Sequence, residues 1–150
     1  MATHRLRLPL VPRWMRLTFV LAVSTLVFAA SIVRPPSSGG PILGPFGLVP
    51  QTVWLHAIAY AAIAMLVAYA LQTGGRPTWP VLCVAFGFAT AFGVGIEVVQ
   101  SRFAYRTFSM ADMLVNAGGA ALAVVAWRLL AARVRFYRCR GDDALERPRR

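Results

Sequence analysis

His56 and Tyr60, Glu97 and Gln100, Arg106, Asp112 and Asn116 bring an imidazole, a phenol, two carboxylates, two carboxamides and a guanidinium to this chain. Groups of these types can clamp an anion, hydrogen-bond a carbonyl or phosphoryl oxygen, or move a proton. Their spacing sorts them into pairs: His56 and Tyr60 are four positions apart, as are Asp112 and Asn116, while Glu97 and Gln100 are three apart. On a helix each pair shares a face. No cluster with metal-ligand spacing is present, and no serine or cysteine nucleophile has a matched base, so neither a metal nor a cofactor is expected. Cys83 and Cys139 match no metal or redox spacing and read as unpaired thiols.

The elements that must position these groups are membrane spans. The 150 residues are 58% hydrophobic and only 14% charged, with mean hydropathy +0.61. That composition excludes an ordinary soluble domain, a disordered chain, collagen and a coiled coil. Apolar runs at 17–33, 53–71, 81–99 and 110–127 are each long enough, or nearly so, to cross a hydrocarbon core about 30 Å thick as a helix. The alternating strands of a membrane barrel are absent from the pattern. Proline and glycine at 34–41 and 74–77 break the runs, and the second break is short enough to make spans two and three antiparallel neighbours.

All 16 basic residues are arginine, and their distribution sets the orientation. Four precede the first span, one lies at 76 and eight follow from Arg128, against Arg34, Arg102 and Arg106 in the other two loops. The expected fold is therefore all-α, an integral membrane four-helix bundle with both termini in the cytoplasm (N-in, C-in). It divides into a basic N-terminus at 1–16, a four-span domain at 17–130 and a basic tail at 131–150. The tail is expected to lie against anionic headgroups rather than nucleic acid. The first run is too long for the apolar region of a cleaved signal peptide, so it is read as a retained span.

This orientation puts His56, Glu97, Gln100, Asp112 and Asn116 at one depth, in the outer leaflet, with Arg102 and Arg106 just above. Small residues at Gly87, Gly93, Gly95, Gly118, Gly119 and Ala120 would let the backbones approach closely. Plainer roles compete with a site. Ser109 and Asp112 resemble a capping box, Glu97 could pair with Arg106 or Arg102, and His56 and Tyr60 could be interfacial residues. Asn116 is the residue that no cap explains. Trp14, Trp54, Trp79 and Trp127 all fall near span ends, as interfacial anchors do. Phe86, Phe88 and Phe92 read as packing or lipid contacts.

Read in order, His56-x3-Tyr60 and then Glu97-x2-Gln100-x5-Arg106-x5-Asp112-x3-Asn116-x2-Gly119 resemble the pattern of the VanZ-like family of small integral membrane proteins. The resemblance covers about half the chain, 53–130. Thr52-Val53 and Ala104-Tyr105 depart from the family's usual residues at the rim. The resemblance implies a multi-pass protein of the cell (plasma) membrane whose polar positions are His56, Glu97, Gln100, Arg106, Asp112 and Asn116. The family's namesake is associated with low-level resistance to a glycopeptide antibiotic, but a shared motif does not transmit that phenotype. The leading expectation is a protein that binds or modulates a polar envelope group. An anionic lipid headgroup, an envelope precursor or a glycopeptide-like ligand would serve, with Arg106 as the anion clamp. The alternatives are an acid–base enzyme acting on an envelope lipid through His56 or Glu97, a purely structural scaffold, and a proton or ion pathway.

Overall fold

A computed structural model of the chain describes residues 6–33, 42–73, 77–104 and 108–138. Four helices dominate it: α1 (Arg13–Ile32), α2 (Gln51–Ala70), α3 (Trp79–Gln100) and α4 (Met110–Arg133). All four are long and apolar enough to cross a membrane. Local chemistry explains where they begin. Pro12 and Pro50 immediately precede α1 and α2, and Pro80 lies in the first turn of α3, where its missing N–H breaks no helical hydrogen bond. Ser109 caps α4 by accepting from the Asp112 amide at 3.1 Å.

Helices α2, α3 and α4 form the centre, with α2 and α4 in the most extensive contact, while α1 packs mainly against α2. The antiparallel packing expected for spans two and three is present. The core is built from small residues, Ala64, Ala68, Ala85, Ala89, Ala120 and Ala123, around the larger Tyr60, Ile63, Leu82 and Ile96. Backbones draw close through such residues when lipid outside is as apolar as the core. The outward faces carry Phe19, Leu21, Leu26, Leu114, Leu122 and Val125, all exposed as a lipid-facing surface requires.

Only some of the glycines fulfil the expected role. A methyl group on Gly119 would collide with the Ala57 carbonyl oxygen and lie 3.0 Å from both that carbonyl carbon and the Ala57 Cα. Gly93 faces the Tyr60 ring and the Asn116 amide. Gly87, Gly95 and Gly118 have open space where a side chain would go, so they are not close-approach positions among the described residues.

At the end of the bundle where α1 begins and α4 finishes, two short strands lie in the flanks outside the four helices. Strand β1 (Leu6–Leu10) pairs in parallel with β2 (Val134–Arg138), with Leu6 opposite Val134 and Leu10 opposite Arg138. Part of each basic flank is thus folded against the other. Leu10 and Val134 are buried there, and Phe136 stacks on Trp127 with ring centroids 5.7 Å apart. Trp127 is consequently only 5% exposed, an interior residue rather than the expected interfacial anchor, whereas Trp14 and Trp79 are each 64% exposed. Arg16, counted in the sequence simply as a positive charge, is buried. Its Nη1 donates to the carbonyls of Tyr69 at 2.8 Å and Gln72 at 2.7 Å, where α2 ends and its last carbonyls need donors.

Replacing Gly119 by Ala is expected to push α2 and α4 apart and lower stability by about 1–3 kcal/mol, as overpacking does. Gly118→Ala, one position away in open space, should keep or slightly raise it, since alanine is the better helix former. Thermal unfolding of the two purified variants in mild detergent checks the contrast.

Candidate functional site

The opposite end of the bundle gathers the end of α1, the start of α2, the end of α3 and the start of α4. There the described members of the sequence-predicted polar set lie, on α2, α3 and α4. His56 lies on the second turn of α2 and Asn116 on the second turn of α4. His56 Nδ1 and Asn116 Oδ1 are 3.0 Å apart. A carboxamide oxygen only accepts, so this contact puts a proton on Nδ1 and leaves Nε2 pointing away from the pair. The bond joins the two helices that Gly119 brings together, one turn beyond it.

Tyr60, one turn below His56 on the same face, has its ring nearly parallel to the imidazole with centroids 6.3 Å apart. Its other neighbour is Phe92 of α3, at 6.5 Å. The phenol is fully buried, so Tyr60 is a core residue and not an interfacial one. A methyl group on Gly93 would lie 2.9 Å from Tyr60 Cε1 and 3.1 Å from Asn116 Nδ2. The absence of a side chain at Gly93 is therefore what lets the phenol and the carboxamide share this level of the bundle.

Of the buried side-chain atoms without a partner among the described residues, two belong to this cluster. Tyr60 Oη and Asn116 Nδ2 are both sealed from solvent and have no hydrogen-bond partner among the described residues. An unmet buried donor costs about 1–3 kcal/mol, so each calls for a partner from outside the protein or for a reason to bear the cost.

Glu97 is 1% exposed at the end of α3, and its Oε2 accepts from the backbone N–H of Ser109 at 3.1 Å. This divides the expected capping box between two helices. Ser109 Oγ caps the Asp112 amide, but the reciprocal acceptor for the Ser109 amide is Glu97 of α3, not Asp112. The Asp112 carboxylate, half-buried in the first turn of α4, is thereby released from the cap. It keeps the favourable potential of the helix N-terminus. No ion pair joins Glu97 to Arg102 among the described residues, and Arg102 is exposed.

Gln100 takes a different course. Its Nε2 donates to the Ser31 carbonyl of α1 at 2.8 Å, so it ties the peripheral helix to the centre. The sequence offered no signal for that pairing, because α1 carries no motif. Arg106, the expected anion clamp, lies outside the described residues, in the segment between Ala104 and Phe108. Among the described residues no group of three or more His, Cys, Asp or Glu could hold a metal ion.

Fold and site together define a small multi-pass membrane protein with a polar cluster at one end of a four-helix bundle. A model of the VanZ/LLP1 family matches residues 14–131, and the chain belongs to that family. The match takes in α1, which the motif resemblance left uncovered. No curated protein and no solved structure matches the chain significantly.

Glu97→Ala would leave the Ser109 amide without its acceptor, at an expected cost of about 1–3 kcal/mol. Glu97→Gln keeps an acceptor oxygen and should lose distinctly less. Unfolding midpoints of the two variants in detergent distinguish this helix-locking role from a charge that merely sits at the rim.

Proposed function

We propose that this VanZ/LLP1 protein resides in the cell membrane with both termini cytoplasmic and binds a polar cell-envelope group through the cluster of His56, Tyr60, Asp112 and Asn116, assisted by Arg106. The observation that carries the reading is the pair of buried, unmet donors, Tyr60 Oη and Asn116 Nδ2. Two buried donors in one cluster call for an acceptor, such as the carbonyl, carboxylate or phosphoryl oxygen of a lipid headgroup or glycopeptide-like ligand. Arg106, the anion clamp expected from the sequence, would add a bidentate grip on an anionic group. The Asp112 carboxylate, free of the cap, would accept from a hydroxyl, amide or amine of the same ligand. The concentration of arginine on the end opposite the cluster supports an outward-facing site. Glu97 and Gln100 serve this reading by holding α4 and α1 in place.

The His56–Asn116 pair also favours a second reading. An imidazole whose Nδ1–H is fixed by a carboxamide presents Nε2 as an acid or base, which is the arrangement an enzyme acting on an envelope lipid would use.

The test is native mass spectrometry of wild type, Tyr60→Phe and Arg106→Ala purified in mild detergent. The wild type is expected to retain a defined polar lipid or envelope precursor. Tyr60→Phe removes an unpaired hydroxyl, so its unfolding midpoint should match or exceed that of the wild type while retention falls roughly fivefold, the worth of about 1 kcal/mol. The same nonspecific lipid in all three proteins would leave the cluster as a structural lock. Turnover of the retained lipid by wild type but not by His56→Gln would favour the enzymatic reading.

A further inference from the structure

The segment ahead of α2 holds a feature that the polar cluster does not use. Residues 42–50 fold into a tight loop closed by its own backbone. Gly44 N donates to the Val49 carbonyl at 2.8 Å, Gly47 N to Gly44 at 3.0 Å, and Gln51 N to Ile42 at 2.8 Å, with Leu43 bridging to Pro50. The loop sits directly on α2. The Trp54 indole lies against Gly44, where any side chain would collide with Cδ1, and tilts against the Phe46 ring at 6.4 Å.

This self-satisfied loop points its large apolar side chains outward. Phe46 is 85% exposed and Leu48 80%, and Ile42 and Leu43 are exposed as well. Phe46 also adopts φ 67° and ψ 3°, the left-handed region that a non-glycine residue rarely occupies. A strained backbone that presents an aromatic ring to the outside indicates a use for that ring there. The charge pattern agrees. No Asp, Glu, Lys or Arg occurs from 35 to 75, so the loop carries no formal charge and no charged residue separates it from α2. Leu55 and Ile58, also exposed, continue the apolar surface from the loop onto the lipid-facing side of α2.

We infer that the loop at 42–50 is an interfacial membrane anchor, with Ile42, Leu43, Phe46 and Leu48 inserted among the lipids of the leaflet at the cluster end of the bundle. The occupant is lipid because the patch is uncharged and continuous with a surface that faces lipid. Exposed apolar area of this kind marks a contact surface when it is contiguous. Irregular backbone is not tolerated facing the hydrocarbon centre, so the loop lies at the headgroup–acyl boundary, where Trp54 is also at home. The anchor holds the start of α2, and with it His56, at headgroup level. The inference does not depend on what the polar cluster binds.

Spin labelling of the full chain in phospholipid vesicles tests it. In a Cys83→Ser, Cys139→Ser background, nitroxides are attached at Ile42→Cys and Leu48→Cys, leaving Phe46 in place. Leu114→Cys on the exposed face of α4 serves as a lipid reference and Thr73→Cys, beyond the end of α2, as an aqueous one. Both loop labels should be relaxed by oxygen in preference to a water-soluble nickel chelate, as at Leu114. Phe46→Ser should shift the Leu48 label toward the nickel accessibility of Thr73. Nickel access at both loop sites equal to that of Thr73 would place the loop in water and overturn the anchor. Shielding from both reagents would mean that protein covers the loop, and would overturn it equally.

Discussion

The seat of Gly119 on the backbone of Ala57 is the contact on which the functional end of this bundle depends. Two membrane helices gain nothing from hiding apolar side chains from water that is not there. What holds them is close packing and the polar bonds that closeness permits. At Gly119 the backbones of α2 and α4 meet with no side chain between them, and one turn away a short polar pair, His56 and Asn116, bridges the same helices. Gly93 does for α3 what Gly119 does for α4, since it leaves the volume that the phenol of Tyr60 and the carboxamide of Asn116 occupy. Restoring a side chain at either glycine would separate groups whose value lies in being adjacent.

The two ends of the bundle solve opposite electrostatic problems by the same means. At the cluster end the start of α4 exposes amides, and a carboxylate from another helix, Glu97, accepts one of them. At the terminal end the close of α2 exposes carbonyls, and a guanidinium from another helix, Arg16, donates to two of them. Each charge lies where the helix dipole favours its sign. Each also joins helices that the apolar core alone would leave free to slide. Tyr69 completes the second lock, because its hydroxyl donates to the Pro9 carbonyl at 3.1 Å and accepts from the Val11 amide at 3.3 Å. A short parallel pair of strands can persist at this end because Tyr69, Trp127 and Phe136 form a packed surface beneath it.

The sequence revealed the spans because transfer from water is a local property. Each apolar run lies within a helix or overlaps it to within a residue at its end, and the helices extend past the runs mainly where arginine or tryptophan flanks them. It also revealed which end of each span would carry His56, Glu97 and Asn116, since helical direction alternates through a bundle. It did not distinguish a working glycine from an idle one. Gly118 and Gly119 are neighbours with identical chemistry, and only the crossing of α2 and α4 decides which of them faces Ala57. Arg16 was hidden for a related reason. Counting arginines for orientation treats each as a solvated charge, whereas the last carbonyls of α2, more than fifty residues away, take this one into the interior. The β1–β2 pairing joins the two ends of the chain, and no local pattern encodes such a partner.

The division of the capping box between Glu97 and Asp112 has a consequence for the proposed site. The Ser109 amide at the start of α4 has one hydrogen to give, and it is Glu97 rather than Asp112 that accepts it. Glu97 is the more deeply buried, so an unpartnered charge there would cost more, and the bond to Ser109 goes to it. Asp112 is half-buried in the first turn of α4, where the helix N-terminus favours a carboxyl group without a dedicated donor. The cluster is therefore graded along the bundle: a carboxylate acceptor at the first turn of α4, the imidazole and carboxamide at the second turns, and the unmet phenol donor deepest. A ligand entering this gradient would seat its acceptor oxygen inward against Tyr60 and Asn116 and turn its hydroxyl, amide or amine outward to Asp112. A simple inorganic anion would meet the inner donors but offer Asp112 no hydrogen to accept. Under the proposed function, the ligand would carry an acceptor and a donor a few bonds apart rather than be a bare phosphate.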